Sequence, residues 1–364
     1  MIHCGSSKSC ETRRAHIHHR EPCDAHSQRG NIMSKMLFST DTDSGTITVL
    51  SLIDGNLSRV SEINVGNGPR GGVKFTTSGK GYVANHSGNT VSEIDAHSLA
   101  ETDRITVGLA PIGVAVVNDS YLLVSNGGDD TVSVVDLKTK KEVSKFPVGK
   151  EPRHPALSPD KMTAYIPIAG AHYVAKVDVS ALHDQYDPNA QIQLTEGKRI
   201  DVGAGAFPYS VGVAPDGATA VVANNQAEHV TLISTADDTV QSVVEVGSKG
   251  ARGVAFTPDS KTAFVSVENA NEIAVIDIAK GSVTDRLQTG SGPRGILFDP
   301  GSATIFSAGF ARGKASFVPA LKGNAISVIR LRGDDSSAFS VKAQEEALSV
   351  PVGAGPCSVT MFEI

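Results

Sequence analysis

Four arginines carry the clearest chemical signal in this chain. Arg70, Arg153, Arg252 and Arg294 each stand just after a turn rich in glycine or proline. A guanidinium fork binds carboxylate or phosphate through paired hydrogen bonds, and clustering several forks raises the local positive potential. Tyr209 takes the corresponding place in a further unit, and His154 follows Arg153 directly. These six residues are the expected ligand-binding set, for an anionic small molecule or an acidic segment of a partner protein. The competing reading is that each arginine pairs with a nearby acid and ties neighbouring units together. His154 with Arg153 is also the candidate catalytic pair, the imidazole acting as base and the guanidinium holding an oxyanion.

Asp41, His86 and Glu268 form a second set. They stand at or beside strand ends where other units carry asparagine, such as Asn126 and Asn224. Carboxylate and imidazole around one axis are ligands for a divalent metal, and metal-bound water attacking an ester would make a hydrolase. Against that, asparagine belongs to the repeat itself because it tolerates the turn conformation at a strand end. Residues 1–32 hold five of the eleven histidines and three of the four cysteines. Imidazole and thiolate suit a metal-binding tail, but the spacing fits no closed zinc module. The expectation is a disordered His-rich tail or a mis-assigned start, because so little apolar sequence cannot repay the entropy of ordering.

Composition narrows the alternatives. The chain has 364 residues, 40% hydrophobic and 20% charged, enough for a sizeable core. A net charge of −6 supplies no general reason to bind polyanions, and 5% aromatics without tryptophan leave little to stack bases on, so nucleic acid is not expected. There is no GxSxG elbow, P-loop, HExxH or CxxCH motif. No CxxC pair is present, so a disulfide framework is not expected. No run of 18 apolar residues exists, which leaves no membrane-spanning helix. The N-terminus carries no apolar segment of signal-peptide length, so a cytoplasmic monomer is the expectation.

The elements that must position these residues repeat. A Val-Gly or Thr-Gly pair recurs at Val65, Val107, Val148, Val202, Val246, Thr289 and Val352, and four of the six steps are 41–44 residues. Within a unit the order is constant. A Gly/Pro turn leads into a short apolar strand (Gly253–Phe256), then a Thr-Pro-Asp-Ser turn and a second strand (Thr262–Ser266). An alternating third strand (Glu272–Asp277) and a weaker polar fourth (Ser282–Leu287) follow. Four short strands at a period near 43 match a propeller blade. Lys35–Val65 holds only the last three strands of a unit and Pro351–Ile364 only the first. Joined, they make a seventh blade and remove the free edges. The expectation is an all-β, seven-bladed propeller of four-stranded antiparallel blades over residues 35–364.

Tyr82-Val83-Ala84-Asn85 with Asn89–Asp95, Leu123–Asn126 with Thr131–Asp136, and Val221–Asn224 resemble the YVTN-type β-propeller repeat. The resemblance covers roughly residues 35–364 and implies the fold more than a function. Such propellers include surface proteins, binding modules, redox-accessory proteins and lactonase-like enzymes. By analogy with that fold, the fourth-to-first and second-to-third turns share one face around a central mouth. The arginine set and the Asp41, His86 and Glu268 set then fall on this face. An insertion near His183–Glu196 falls on the opposite face. Another, Arg312–Asn324, carries Arg312, Lys314, Lys322 and Phe317 beside Phe310 and is a candidate lid; Gly333–Ala347 falls opposite. The leading function is a non-enzymatic binder of anionic groups, and the alternative is a metal-dependent, lactonase-like hydrolase at the same mouth.

Overall fold

The computed structural model describes residues 35–53, 55–189, 191–310, 324–331 and 344–364, and side chains throughout these except at 344–347. The 1–32 tail and the Arg312–Gly323 segment lie outside the described residues. So does the 332–343 part of the Gly333–Ala347 insertion.

The repeating unit becomes a blade through one buried polar node. In three blades an asparagine closing the second strand lies beside a serine or threonine seven residues later. Asn85 donates to Ser92 at 2.8 Å, Asn126 to Ser133 at 2.7 Å and Asn224 to Thr231 at 2.9 Å. The glycine of the Val-Gly pair packs on this amide. A Cβ at Gly66 would collide with Asn85, and one at Gly108 with Asn126. The recurring glycine is therefore required by a close approach, not only by a turn.

Seven four-stranded antiparallel sheets result, six of them with their strands in chain order from the inside outward. Six are continuous segments, beginning at Pro69, Pro111, Ala156, Pro208, Ala251 and Pro293. The remaining sheet takes its innermost strand from Pro356–Glu363 and its other three from Lys35–Asn64. We number this blade one and the others two to seven in chain order. Pro356–Glu363 pairs along the whole of Lys35–Asp41, which closes the ring as the split termini predict.

The core is a ring of seven slabs. Each of the seven buried apolar clusters joins two neighbouring blades. Second and third strands are covered on both faces and are buried almost throughout, as in Tyr121–Asn126 and Thr131–Asp136. Outermost strands alternate exposed and half-buried positions, as in Lys141–Pro147. This is why the fourth strand reads as polar and weak. Among the described residues the only helical pieces are two short 3-10 turns, Ala169–Ala171 and Ser180–His183.

Blade four departs most from the repeat. Prolines at 152, 155 and 159 remove strand donors, and its inner strand shrinks to Ala156–Leu157. His154 instead bridges the inner strand of blade five in parallel, opposite Ser210. The insertion after its third strand is a packed clamp. Leu182 and Leu194 are buried between blades three and four, and Tyr186 donates to Asp136 at 2.7 Å. Contacts of Asn118 and His183 place the insertion beside first-to-second turns, on the expected face.

Blade one carries Asp41 at the asparagine position. It accepts from Ser39 at 2.7 Å, from the Thr48 hydroxyl at 2.6 Å and from the Gly353 amide at 3.2 Å. Gly353 follows the last strand of blade seven, so this node also fastens the ring. Burial raises the carboxyl pKa from 3.8 to about 6, against the hydrogen bonds that lower it. The folded protein therefore keeps a proton here that the unfolded chain releases. This contribution to stability is full at low pH and falls as pH rises from about 4 to about 6, by on the order of 2 kcal/mol. Asp41→Asn restores the amide of the other blades. Urea denaturation should show it roughly 2 kcal/mol more stable than the parent at pH 7 and closely matched at pH 4. Deleting Val352–Ile364 removes the inner strand of blade one. Circular dichroism should then find no cooperative thermal transition.

Candidate functional site

In every blade the chain enters the innermost strand through a residue in the left-handed conformation. These are Gly68, Ala110, Glu151, Phe207, Gly250, Gly292 and Gly355, with φ between 48° and 99°. The residue two places on is Arg70, Ile112, Arg153, Tyr209, Arg252, Arg294 or Cys357. Apart from Ile112, all of these line one cavity of about 320 Å³, together with His154. Its rim comes from Phe207, ahead of an inner strand, and from Thr42, Asn225 and Phe310 in second-to-third turns. The two turn types therefore meet at one end of the ring. No carboxylate lines this cavity among the described residues.

Each arginine is held differently. Arg252 donates to Glu268 at 2.5 Å and lies over the Tyr209 ring at 4.2 Å. Arg294 donates to the other oxygen of Glu268 at 2.8 Å and lies over Phe310 at 3.4 Å. One carboxylate thus bridges blades six and seven through two guanidiniums. Arg153 pairs with Glu151 and lies between Phe207 and Tyr209, at 5.2 and 5.4 Å from their centroids. Its Nε is buried with no hydrogen-bond partner. Arg70 has neither hydrogen bond nor ion pair among the described residues. Four guanidiniums against two carboxylates leave positive charge that the described residues do not neutralise. The pairing expected of the competing reading is present for three arginines, and it neutralises only part of the charge.

The imidazoles register that field. Burial, then the nearby arginines, push His154 down to about 3 and His86 down to about 4. Both are neutral near pH 7. A base whose conjugate acid titrates near 3 accepts protons poorly, so His154 is a hydrogen-bonding wall rather than a strong general base. The Cys357 thiol is pushed up by burial and stays protonated.

The expected sites fare differently. Arg70, Arg153, His154, Tyr209, Arg252 and Arg294 share the cavity. Asp41, His86 and Glu268 do not assemble. Asp41 is fully buried in the blade-one node, and Glu268 is engaged by two guanidiniums. Among the described residues no group of three His, Cys, Asp or Glu is placed to hold a metal ion. The reading of the residues did not single out Glu151, Phe207 or Thr42. The signal for Glu151 and Phe207 was their place before Pro152 and Pro208, where other blades carry glycine.

No protein-family profile matches the chain, and no curated protein matches it. Solved structures do. A periplasmic gluconolactonase of Pseudomonas aeruginosa is 17% identical with a TM-score of 0.71, over 90% of this chain and 99% of that one. A candidate 6-phosphogluconolactonase of Bacteroides uniformis is 17% identical with a TM-score of 0.72, over 91% and 99%. The hydrazine synthase of Kuenenia stuttgartiensis is 22% identical with a TM-score of 0.63, over 80% and 95%. The fold is that of the lactonase-like propellers. At these identities the likeness carries the fold alone, so the chemistry rests on the cavity.

The depressed imidazoles are directly measurable. Over a pH titration from 8 to 5, followed by NMR of the ring carbons, neither His154 nor His86 should change protonation. Midpoints near 6.5 would show that the arginine field is screened.

Proposed function

We propose that this propeller binds a small anionic molecule, through a carboxylate or phosphate group seated among Arg70, Arg153, Arg252 and Arg294. The observation that carries this reading is the imbalance at the cavity among the described residues: four guanidiniums, two engaged carboxylates, and an Arg70 with no ion pair. Such a site stores unfavourable like-charge repulsion that an anion relieves. Charge-assisted bonds to a bound oxyanion would also satisfy the orphan Nε of Arg153. The aromatic faces of Phe207, Tyr209 and Phe310 fix the planes of the guanidiniums and so pre-orient them. A cavity of about 320 Å³ suits a molecule of metabolite size and leaves little room for a folded partner, although an acidic chain end would fit.

A second reading is hydrolysis of a sugar-acid lactone at the same site. It is favoured by the fold shared with the gluconolactonase. It requires a base to activate water, and the imidazole beside the guanidiniums is a weak one. Binding without turnover is the better supported of the two.

Titration of the purified protein with inorganic phosphate and with a simple monocarboxylate should raise its melting temperature in a salt-sensitive way. Arg70→Ala should weaken binding about tenfold or more and leave the unliganded melting temperature nearly unchanged, because Arg70 holds nothing else together. Glucono-lactone supplied to the parent should disappear no faster than in buffer. Absence of any anion-dependent stabilisation would overturn the binding reading, and rapid lactone loss would replace it with the second.

A further inference from the structure

Behind the cavity the innermost strands form a narrower channel of about 150 Å³. The two spaces share Gly71, His154, Tyr209, Arg252, Arg294 and Cys357, so they are continuous. Lys74 projects into this channel from the inner strand of blade two, the strand that also carries Arg70. It also lines the opening at the opposite end, whose walls are otherwise largely apolar.

Three features set Lys74 apart from the other lysines. Its ammonium has no hydrogen bond or ion pair among the described residues, whereas Lys35, Lys80, Lys140 and Lys176 each reach a carboxylate. No carboxylate lines either the channel or its far opening. The side chain is exposed to channel solvent, and desolvation by the surrounding wall lowers its pKa. A cation facing a confined channel with no counter-ion among the described residues is open to pairing with an exchangeable anion. The hydroxyls of Ser358 and Thr360 line the same space and have no hydrogen-bond partner among the described residues. Lys74, Ser358 and Thr360 are thus donors uncommitted among the described residues.

We propose that Lys74, with Ser358 and Thr360, forms a second anion subsite inside the channel, and that the ligand is an elongated dianion with one acidic group among the arginines and the other at Lys74. This deepens the anion-binding reading and rests on it. Four residue steps lead from Arg70 to Lys74, so their backbone positions are at most about 13 Å apart. His154 lines both spaces, and the charges of both Arg70 and Lys74 act on it. Its neutral ring lets an aliphatic linker pass without adding repulsion. A dianion gains over a monoanion because the second contact is intramolecular once the first has formed.

The test compares a linear α,ω-dicarboxylate series with monocarboxylates of matched length, by calorimetric titration of the full chain and of Lys74→Met. In the parent, one chain length should bind at least tenfold tighter than its monocarboxylate match. Lys74→Met should abolish that advantage, leave monocarboxylate affinity unchanged, and melt no lower than the parent. Lys74→Arg should retain part of the advantage. Monocarboxylate binding with no dicarboxylate advantage, or an advantage that survives Lys74→Met, would overturn the channel subsite and leave the arginine site standing. No binding of either series would overturn both.

Discussion

The site depends on one backbone constraint, the left-handed residue through which each blade enters its innermost strand. That conformation reverses the chain tightly enough for the outer strand of one blade to lead into the inner strand of the next. It also aims the side chain two places on at the mouth of the channel. Glycine adopts it without penalty at Gly68, Gly250, Gly292 and Gly355. Ala110, Glu151 and Phe207 adopt it at a cost of roughly 1 kcal/mol or more each. Two of these three touch Arg153, Glu151 through its carboxylate and Phe207 through its ring. The strain is therefore concentrated where the most buried guanidinium needs support.

Electrostatics then divide the arginines by role. Glu268 sits between Arg252 and Arg294 and ties blade six to blade seven, so those two cations also hold the ring together. Similar cross-blade pairs fasten other seams nearer the outside. Lys140 reaches Glu93 between blades three and two, and Lys176 reaches Asp238 between blades four and five. At the rim such pairs contribute little individually. At the cavity the same chemistry is left incomplete among the described residues, and burial, with the arginines second, keeps the imidazoles of His154 and His86 neutral near pH 7.

Much of the architecture could be read from the residues because the repeat superposes three periodic signals. These are the Val-Gly pair, the asparagine at the end of the second strand, and the constant order of four short strands between turns. Once the register is known, equivalent positions fall at equivalent radii, which is why the arginine set could be gathered from residue numbers alone. What repeat equivalence does not supply is side-chain direction. Asp41 and Glu268 occupy neighbouring steps of the same turn, yet one points into the blade and the other toward the axis. Asp41 inherits the inward asparagine position and is satisfied by Thr48, whereas Glu268 lies one residue further on and meets Arg252. A metal reading built on their shared face fails on that single-residue offset. Lys74 escaped notice for a related reason. A charged residue in an alternating strand reads as solvent-facing, and here the solvent is that of the channel.

Blade two is where these arguments converge. Its inner strand, Pro69–Phe75, carries two cations with no hydrogen bond or ion pair among the described residues, Arg70 at the cavity and Lys74 in the channel. Between them lie Gly71, in the left-handed region at φ 70°, and Gly72, where a Cβ would collide with the hydroxyl of Thr360. The pairing register with the next strand slips across this stretch, between Arg70 and Lys74. A regular strand would set residues four apart on one face at a fixed spacing. The slip frees that spacing from the pleat, and the absence of side chains at 71 and 72 keeps the path between the cations open. The two neighbouring mouth positions, Ile112 and Cys357, are uncharged at neutral pH, so neither competes with Arg70 for an anion. Positive charge that elsewhere in the ring joins blades stands, on this one strand, without a carboxylate partner among the described residues.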